Sequence, residues 1–220
     1  MFHEMGHAHH GMLSDATYGR LASTNVMTDF VELPSQLLEH WFSEPEVLQA
    51  HAKHYETGEP VPNELLEKQK AAQSFQQGFA TIEYTICALM DMALHHKVAS
   101  YESEDGFDLL KFEEEELERL GMPQGIVMRH RPPHFSHLFA SEMYAAGYYV
   151  YLWAEVLDAD AYAAFSETGN PFDPKVAEKA RRFIYSAGNT EDPQELFRQF
   201  RGRDPQLEFM LAKKGLLKEA

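Results

Sequence analysis

The first residues of the chain contain two histidines and a glutamate at the spacing of an HExxH motif, His3-Glu4-Met5-Gly6-His7. On a helix, residues four apart lie on the same face, so His3 and His7 can present imidazole nitrogens to one tetrahedral Zn²⁺. Glu4 would lie beside the open coordination position, where it can take a proton from a zinc-bound water and pass it to a leaving amine. The motif therefore predicts hydrolytic zinc chemistry.

A catalytic zinc also needs a third protein ligand, and the segment after the motif offers several carboxylates. Glu32 is far enough from His7 for the chain to turn back and start an antiparallel helix whose first turn faces the zinc. Glu39, Glu44 and Glu46 are alternatives on the same segment. The spacing favours Glu32 as the third ligand.

The same region contains two more histidines and a second pattern that a metal centre could use. His9 and His10 point elsewhere on the helix, and we expect them to be polar surface groups or groups behind the ligands. A ferritin-like di-iron bundle would use Glu4 and His7 as a Glu-x-x-His pair, but it requires a second such pair, and the sequence contains none.

The elements that must position these residues are helices. Apolar residues recur every three or four positions over 73–97, which predicts a long amphipathic helix. Its stripe consists of Phe75, Phe79, Ile82, Ile86, Leu89 and Ala93. A second long helix is predicted over 144–165, with Tyr144, Tyr148 and Tyr151 on one face.

Shorter helical patterns account for most of the remaining chain. They are predicted at 34–41, 108–120, 173–186, 193–200 and 205–213. Two irregular segments, 13–28 and 122–136, separate them and are candidates for functional loops. The acidic run 113–116 is interpreted as a solvated helix face. These patterns predict a mainly α fold with the HExxH motif on a helix and little or no sheet.

Composition limits the classes of function. The chain has 220 residues, 44% of them apolar and 12% aromatic, which is enough for a globular core. A formal charge of −16 opposes phosphate backbones and anionic membrane surfaces, so neither nucleic acid nor membrane is an expected partner. Cys87 is the only cysteine, and neither a spanning stretch nor an export signal is recognisable, so we expect a cytoplasmic location.

Several separated motifs follow one another along nearly the whole chain. They are FHEMGHAHHG at 2–11, DFVELPSQ at 29–36, HLF at 137–139, YAAGYYVYLW at 144–153, GNTED at 188–192 and GRDP at 202–205. In order and spacing these motifs resemble the thimet oligopeptidase and peptidyl-dipeptidase family of zinc peptidases, with the closest likeness to the bacterial peptidyl-dipeptidases. The resemblance implies a helical, zincin-type catalytic region.

The resemblance also implies roles for individual residues. One zinc ion per chain would be held by His3, His7 and Glu32, with Glu4 as general base and acid. Near the scissile bond, His137 and Tyr151 would be catalytic contacts, and Tyr148 and Tyr144 would bind substrate. A hydrogen bond to the developing oxyanion is worth about 10²- to 10³-fold in rate.

The chain also departs from the family pattern. Family members carry several hundred residues upstream of the zinc motif, so we expect residues 1–220 to be the C-terminal part of a catalytic domain. His3 would then lie where a helix frays, with weak metal retention and an exposed apolar surface as consequences. In the loop 140–143, Glu142 stands where glycines are common, which puts the preference for a free peptide C-terminus in question.

Two functional hypotheses follow. The first is a zinc metallopeptidase that hydrolyses short peptides, as a peptidyl-dipeptidase or an oligopeptidase, through a zinc-activated water. The second is a truncated, non-catalytic fragment that binds metal weakly and associates with itself or with the missing N-terminal part. Zinc analysis and the size of the isolated chain distinguish the two.

Overall fold

The computed structural model describes residues 1–97 and 106–217, and helices dominate both stretches. The α-helices are α1 (Phe2–Met12), α2 (Leu33–Glu39), α3 (Pro45–His51), α4 (Asn63–Ala72), α5 (Gln77–Lys97), α6 (Leu109–Arg119), α7 (Val150–Ser166), α8 (Pro174–Ala180), α9 (Pro193–Arg201) and α10 (Leu207–Lys213). Apart from an isolated β-bridge between Lys53 and Pro60, these stretches contain no β-structure. The prediction of a mainly α fold is confirmed. Within the same stretches, no helix has the length and apolar character needed to cross a bilayer.

The chain divides into two compact units, one formed by Met1–Gln77 with Trp153–Ala220 and the other by Gly78–Leu152. In the first unit, α1 packs against α2, and the apolar face of α2 enters a core shared with α7, α8 and α9. This core contains Phe30, Leu33, Leu37, Leu157, Ala161, Phe165, Ala180, Ile184, Phe197 and Phe200. Burial of these side chains holds the segment that carries Glu32 in place.

A buried ion cluster completes the first unit and explains the GRDP motif. Asp160 of α7 is fully buried and accepts hydrogen bonds from Arg201 Nε at 2.7 Å and from Arg203 Nη2 at 2.7 Å. The backbone N–H of Gln206 donates to the same carboxylate at 2.8 Å. Gly202, with φ +83°, ends α9 so that both arginines reach Asp160. A buried carboxylate is tolerated only with such partners.

In the second unit, α5 and α6 share a core with the irregular segment 122–138. This core contains Ile86, Cys87, Met90, Ala93, Leu94, Phe112, Met128, Phe135 and Leu138. The predicted stripe on α5 is therefore only partly correct, because Phe79, Ile82 and Leu89 are exposed. This helix is apolar on two sides, and periodicity alone does not tell which side is buried.

The two long helices begin later than predicted. Helix α5 begins at Gln77 rather than at residue 73, because Gln76 has a φ of +52°, which a continuing helix does not allow. Helix α7 begins at Val150 rather than at Tyr144, because Ala146 has a φ of +55°. Tyr144 lies in a short 3₁₀ turn, and Tyr148 lies in the turn before α7. The predicted helical face carrying these tyrosines is therefore wrong.

The shorter helices were predicted with shifted ends. Helix α8 stops at Ala180 and continues as a π-helical turn, Arg181–Tyr185, within the segment predicted as one helix. Helices α3 and α4 were not predicted. The acidic run on α6 is not a solvated face throughout, since Glu113 and Glu116 are buried. Ion pairs to Arg131 and Arg119 make that burial possible.

Candidate active site

The HExxH motif lies on α1, as the spacing predicts, and its two histidines face the start of α2. The rings of His3 and His7 meet edge to face, with centroids 4.9 Å apart. The Nε2 atoms of His3 and His7 lie 3.4 Å and 3.3 Å from Oε2 of Glu32. In the described part of the chain, these three residues form the group of His, Cys, Asp and Glu side chains close enough to share a metal ion.

The spacing of these atoms fits a zinc ion. Ligands about 2.0–2.1 Å from a tetrahedral metal are separated from one another by roughly 3.3–3.4 Å, which follows from the tetrahedral angle. The observed Nε2 to Oε2 separations match that value. Two histidines and one glutamate are also a donor set typical of catalytic zinc, in which a fourth position stays open. The residues present therefore fit the metal that the sequence predicts.

Two further side chains orient His3 and Glu32. His3 Nδ1–H donates to Glu39 Oε1 at 2.6 Å, which leaves the lone pair of Nε2 directed at the other ligands. Ser35, fully buried on α2, lies with its hydroxyl 2.8 Å from Glu32 Oε2 and 2.9 Å from the Glu32 carbonyl oxygen. Glu39, one of the alternative third ligands, contacts Nδ1 of His3, whereas Nε2 of His3 faces Glu32.

The remaining carboxylates named as alternatives lie outside the cluster. Glu44 accepts a hydrogen bond from the hydroxyl of Tyr162, and Glu46 is exposed on α3. The sequence spacing that favoured Glu32 therefore agrees with the geometry. Its carboxylate is largely buried, with 11% of the side chain exposed, whereas Glu4 is exposed on α1.

Gly6 allows α1 to approach α2 closely enough to bring His3, His7 and Glu32 together. A Cβ atom at this position would lie 2.5 Å from Ser35 Cα and 2.6 Å from the Pro34 carbonyl oxygen. The same carbonyl accepts a hydrogen bond from Tyr185 at 3.0 Å, which fixes the first turn of α2. Sequence reasoning missed this role, although a glycine inside a helix, costly relative to alanine, usually has a packing reason.

The other two histidines of α1 differ from each other. His9 is half-buried, and its ring lies 6.2 Å from that of Tyr185. His10 is fully buried, so of the two expected places, the surface and the packing behind the motif, it occupies the second, and its ring lies 6.4 Å from that of Phe30. Burial, with a smaller contribution from His7, lowers the pKa of His10 to about 4. His10 is therefore a neutral part of the packing behind the ligands at physiological pH.

In the second unit, the histidine and tyrosines singled out by the sequence form one aromatic cluster. The ring of His137 lies 4.8 Å from that of Tyr144, 5.4 Å from that of Tyr148 and 5.8 Å from that of Tyr151. The rings of Tyr148 and Tyr151 are 5.6 Å apart. The hydroxyl of Tyr151 lies 3.4 Å from His137 Nε2. The convergence was expected, but it arises from a turn and not from one helix face.

The protonation state of the cluster suits hydrogen-bond donation. Burial raises the pKa of Tyr148, with a smaller contribution from Cys87. Its hydroxyl therefore keeps its proton at neutral pH and can donate a hydrogen bond. Tyr148 is half-buried, so that this donor stays within reach of a bound molecule. Tyr144 is the most exposed of the three tyrosines.

Comparison with known proteins places these residues in a family context. The sequence profile described as Peptidase family M3 matches residues 1–216. Oligopeptidase A of Haemophilus influenzae is 41% identical over 218 residues, which are 99% of this chain and 31% of that protein. Dipeptidyl carboxypeptidase of Escherichia coli is 38% identical over 218 residues, which are 98% of this chain and 31% of that protein.

A more distant relative, the mitochondrial intermediate peptidase of Vanderwaltozyma polyspora, is 34% identical over 88% of this chain. The chain spans about a third of the length of the bacterial relatives, 31% in each case. The family resemblance inferred from the motifs is confirmed, because the profile covers almost all of the chain. The chain belongs to peptidase family M3.

Proposed function

We propose that this chain is the zinc-binding catalytic part of a metallopeptidase that hydrolyses short peptides, as a peptidyl-dipeptidase or an oligopeptidase. One observation carries the proposal: in a chain of this family, the Nε2 atoms of His3 and His7 and Oε2 of Glu32 converge at the spacing of one tetrahedral ion. Peptides as the substrate class are supported by the relatives, which are named as an oligopeptidase and a dipeptidyl carboxypeptidase. We take residues 1–220 as the C-terminal part of such a catalytic domain.

The residues of α1 and α2 have distinct roles in this proposal. His3, His7 and Glu32 hold the zinc, which when bound lowers the pKa of a coordinated water and polarises the scissile carbonyl. Glu4, next to His3 on α1 and exposed to solvent, accepts a proton from the attacking water on its carboxylate. It then returns that proton to the nitrogen of the leaving amine. Glu39 accepts a hydrogen bond from His3 Nδ1–H and so keeps the ring proton of His3 on Nδ1.

The aromatic cluster supplies the groups that we assign to the substrate. Tyr148 and Tyr151 donate hydrogen bonds to the oxygen on which negative charge develops, and His137 lies beside the Tyr151 hydroxyl. A donor of this kind is worth about 10²- to 10³-fold in rate, because it is positioned before charge develops. Tyr144, more exposed, contacts the peptide and takes no part in proton transfer.

The test compares wild type with Glu4→Gln. Hydrolysis of a blocked short peptide is measured for the chain itself, and for oligopeptidase A of Haemophilus influenzae carrying this chain in place of its matching stretch. Zinc content is measured in parallel. We expect Glu4→Gln to keep zinc, because Glu4 is not a ligand, and to lose at least about 10²-fold in kcat. Unchanged hydrolysis by the zinc-loaded variant would show that the proposed mechanism is wrong.

A second candidate function has its own supporting observation. Phe79, Ile82 and Leu89 on α5 are 56%, 58% and 41% exposed, which is a large apolar surface for one helix. This surface suits a chain that associates with a second copy or with an N-terminal part, and that retains metal weakly without catalysing hydrolysis. Sizing of the purified chain, compared with Ile82→Glu, tests the association. One tightly held zinc per monodisperse monomer would count against this candidate.

A further inference from the structure

A fully buried carboxylate on α5 holds the turn that carries Tyr148. Asp91 has no solvent exposure. Its Oδ1 accepts from the backbone N–H of Ala146 at 3.1 Å, and its Oδ2 accepts from the backbone N–H of Tyr148 at 2.9 Å. His95, one turn later on α5, has Nδ1 2.7 Å from Asp91 Oδ1. One side chain therefore binds two N–H groups of the same turn.

A second side chain of α5 holds the other side of the same residue. Tyr84 lies two helical turns before Asp91, on the same face. Its hydroxyl donates to the carbonyl oxygen of Tyr148, and the two rings are stacked with centroids 5.0 Å apart and an interplanar angle of 24°. Both polar groups of the Tyr148 backbone are therefore bound by side chains from one rigid helix.

The turn has a conformation that requires such support. Ala146 has a φ of +55°, a left-handed conformation that costs free energy for any residue with a Cβ atom. Helix α7 begins only at Val150, so the N–H groups of Ala146 and Tyr148 fall outside the helical hydrogen-bond pattern. Burial of the Asp91 charge is also costly, and it is offset by hydrogen bonds to these groups.

We propose that Asp91 is a positioning residue for Tyr148, acting with Tyr84 and His95 to hold the Tyr148 ring beside His137 and Tyr151. Asp91 does not contact substrate in this proposal. It acts through the backbone of the 146–148 turn, and its effect on hydrolysis rests on the function proposed above for Tyr148. Asp91→Asn replaces one carboxylate oxygen by an NH₂ group, so that one of the two backbone N–H groups faces a donor.

The first arm of the test measures amide hydrogen exchange in the 220-residue chain by NMR and does not depend on activity. In Asp91→Asn we expect the amide that faces the new NH₂ group, that of Ala146 or that of Tyr148, to exchange about 10- to 100-fold faster. The amides of Met90 in the middle of α5 should keep wild-type protection, as a sign that the unit is folded. Asp158→Asn, another buried carboxylate, is the matched control and should leave the Tyr148 amide unchanged.

If Asp91→Asn unfolds the unit, Tyr84→Phe provides the same test. This variant keeps the ring and loses only the hydroxyl bound to the Tyr148 carbonyl oxygen. We then expect faster exchange at the amide of Tyr148, because the turn loses one of the two side chains that hold it. Wild-type exchange at both Ala146 and Tyr148 in folded Asp91→Asn, or at Tyr148 in Tyr84→Phe, would overturn the positioning role.

The second arm uses hydrolysis and separates positioning from a general loss of structure. Displacement of a substrate-binding group by about 1 Å costs on the order of 10²-fold in rate, so kcat of Asp91→Asn should fall by that factor. In a Tyr148→Phe background, Asp91→Asn should add little, because both changes remove the same contribution. Fully multiplicative effects would refute the proposal. If wild type hydrolyses no peptide, the proposed function fails, whereas the exchange arm still decides the role of Asp91.

Discussion

Substitution of Gly6 by alanine should damage the proposed zinc site without changing any of the three proposed ligands. The added Cβ would lie 2.5 Å from Ser35 Cα and 2.6 Å from the Pro34 carbonyl oxygen. Carbon atoms prefer a separation of about 3.5–4.0 Å, so α1 and α2 must move apart by about 1 Å. Metal-ligand distances tolerate only about 0.2 Å, and Glu32 lies at the start of α2. The Glu32 carboxylate would therefore leave the reach of the two histidines.

The expected magnitudes follow from the same contact. Overpacking of this kind costs about 1–3 kcal/mol, and the better helix propensity of alanine returns up to about 1 kcal/mol. The net loss in the free energy of unfolding should therefore be modest. Zinc affinity should fall by about 100-fold or more, because a displaced third ligand affects metal binding more than the fold.

The assay is a zinc titration against a chromophoric competitor, together with urea denaturation of the zinc-free chain. Gly78→Ala is the matched control, because it is also a helical glycine and a Cβ there would meet nothing within 4 Å. We expect this control to bind zinc as wild type does and to be equally or slightly more stable. Wild-type zinc affinity in a folded Gly6→Ala chain would refute the argument that this helix contact sets the ligand geometry.

Two other predictions concern the surroundings of the ligands. Glu39→Gln should lower zinc affinity by about 10-fold in the competitor titration, because it weakens the acceptor of the His3 Nδ1 proton; Glu46→Gln, an exposed change, should have no effect. Because the pKa of His10 is lowered, the folded chain binds fewer protons than the unfolded chain between pH 4 and 6.5. The contribution of neutral His10 to the free energy of unfolding is therefore complete above pH 6.5 and is lost as the pH falls toward 4. The difference between an ordinary pKa of 6.5 and one of about 4 corresponds to about 3 kcal/mol. Urea denaturation should show this pH dependence reduced in His10→Leu and kept in His51→Leu, whereas equal pH dependence in both variants would contradict the assignment.

The proposed zinc ligands were within reach of sequence analysis because their signal is local. An i, i+4 pair of histidines faces one direction on any helix, so His3 and His7 required no tertiary information. Glu32 was favoured by its place at the start of the next helix. Glu39 and Ser35 could not be assigned, because their contacts depend on how α1 and α2 pack. For Gly6, the sequence does contain a signal, because a glycine inside a helix indicates close packing, but the prediction did not include it.

The aromatic cluster shows a different limit. Tyr148 and Tyr151 are neighbours as expected, but the expected reason, a shared helix face, is wrong. The helix starts only at Val150, and the turn before it depends on Asp91, which is far away in sequence. On α5 the apolar pattern had two possible core faces, and only packing against α6 and the 122–138 segment decides between them. Periodicity predicts that a helix exists better than where it starts or which side is buried.

In both candidate clusters, the one around His3, His7 and Glu32 and the one around His137, neighbouring side chains hold the functional groups in position through hydrogen bonds. Glu39 orients His3, and Ser35 orients Glu32. Asp91 and Tyr84 do the same for Tyr148. Groups that are already oriented lose little conformational entropy when a metal or a peptide binds, so more of the interaction energy appears as affinity or as transition-state stabilisation. Substitutions at the orienting residues are therefore expected to weaken binding and catalysis while leaving the chemistry of the ligands unchanged.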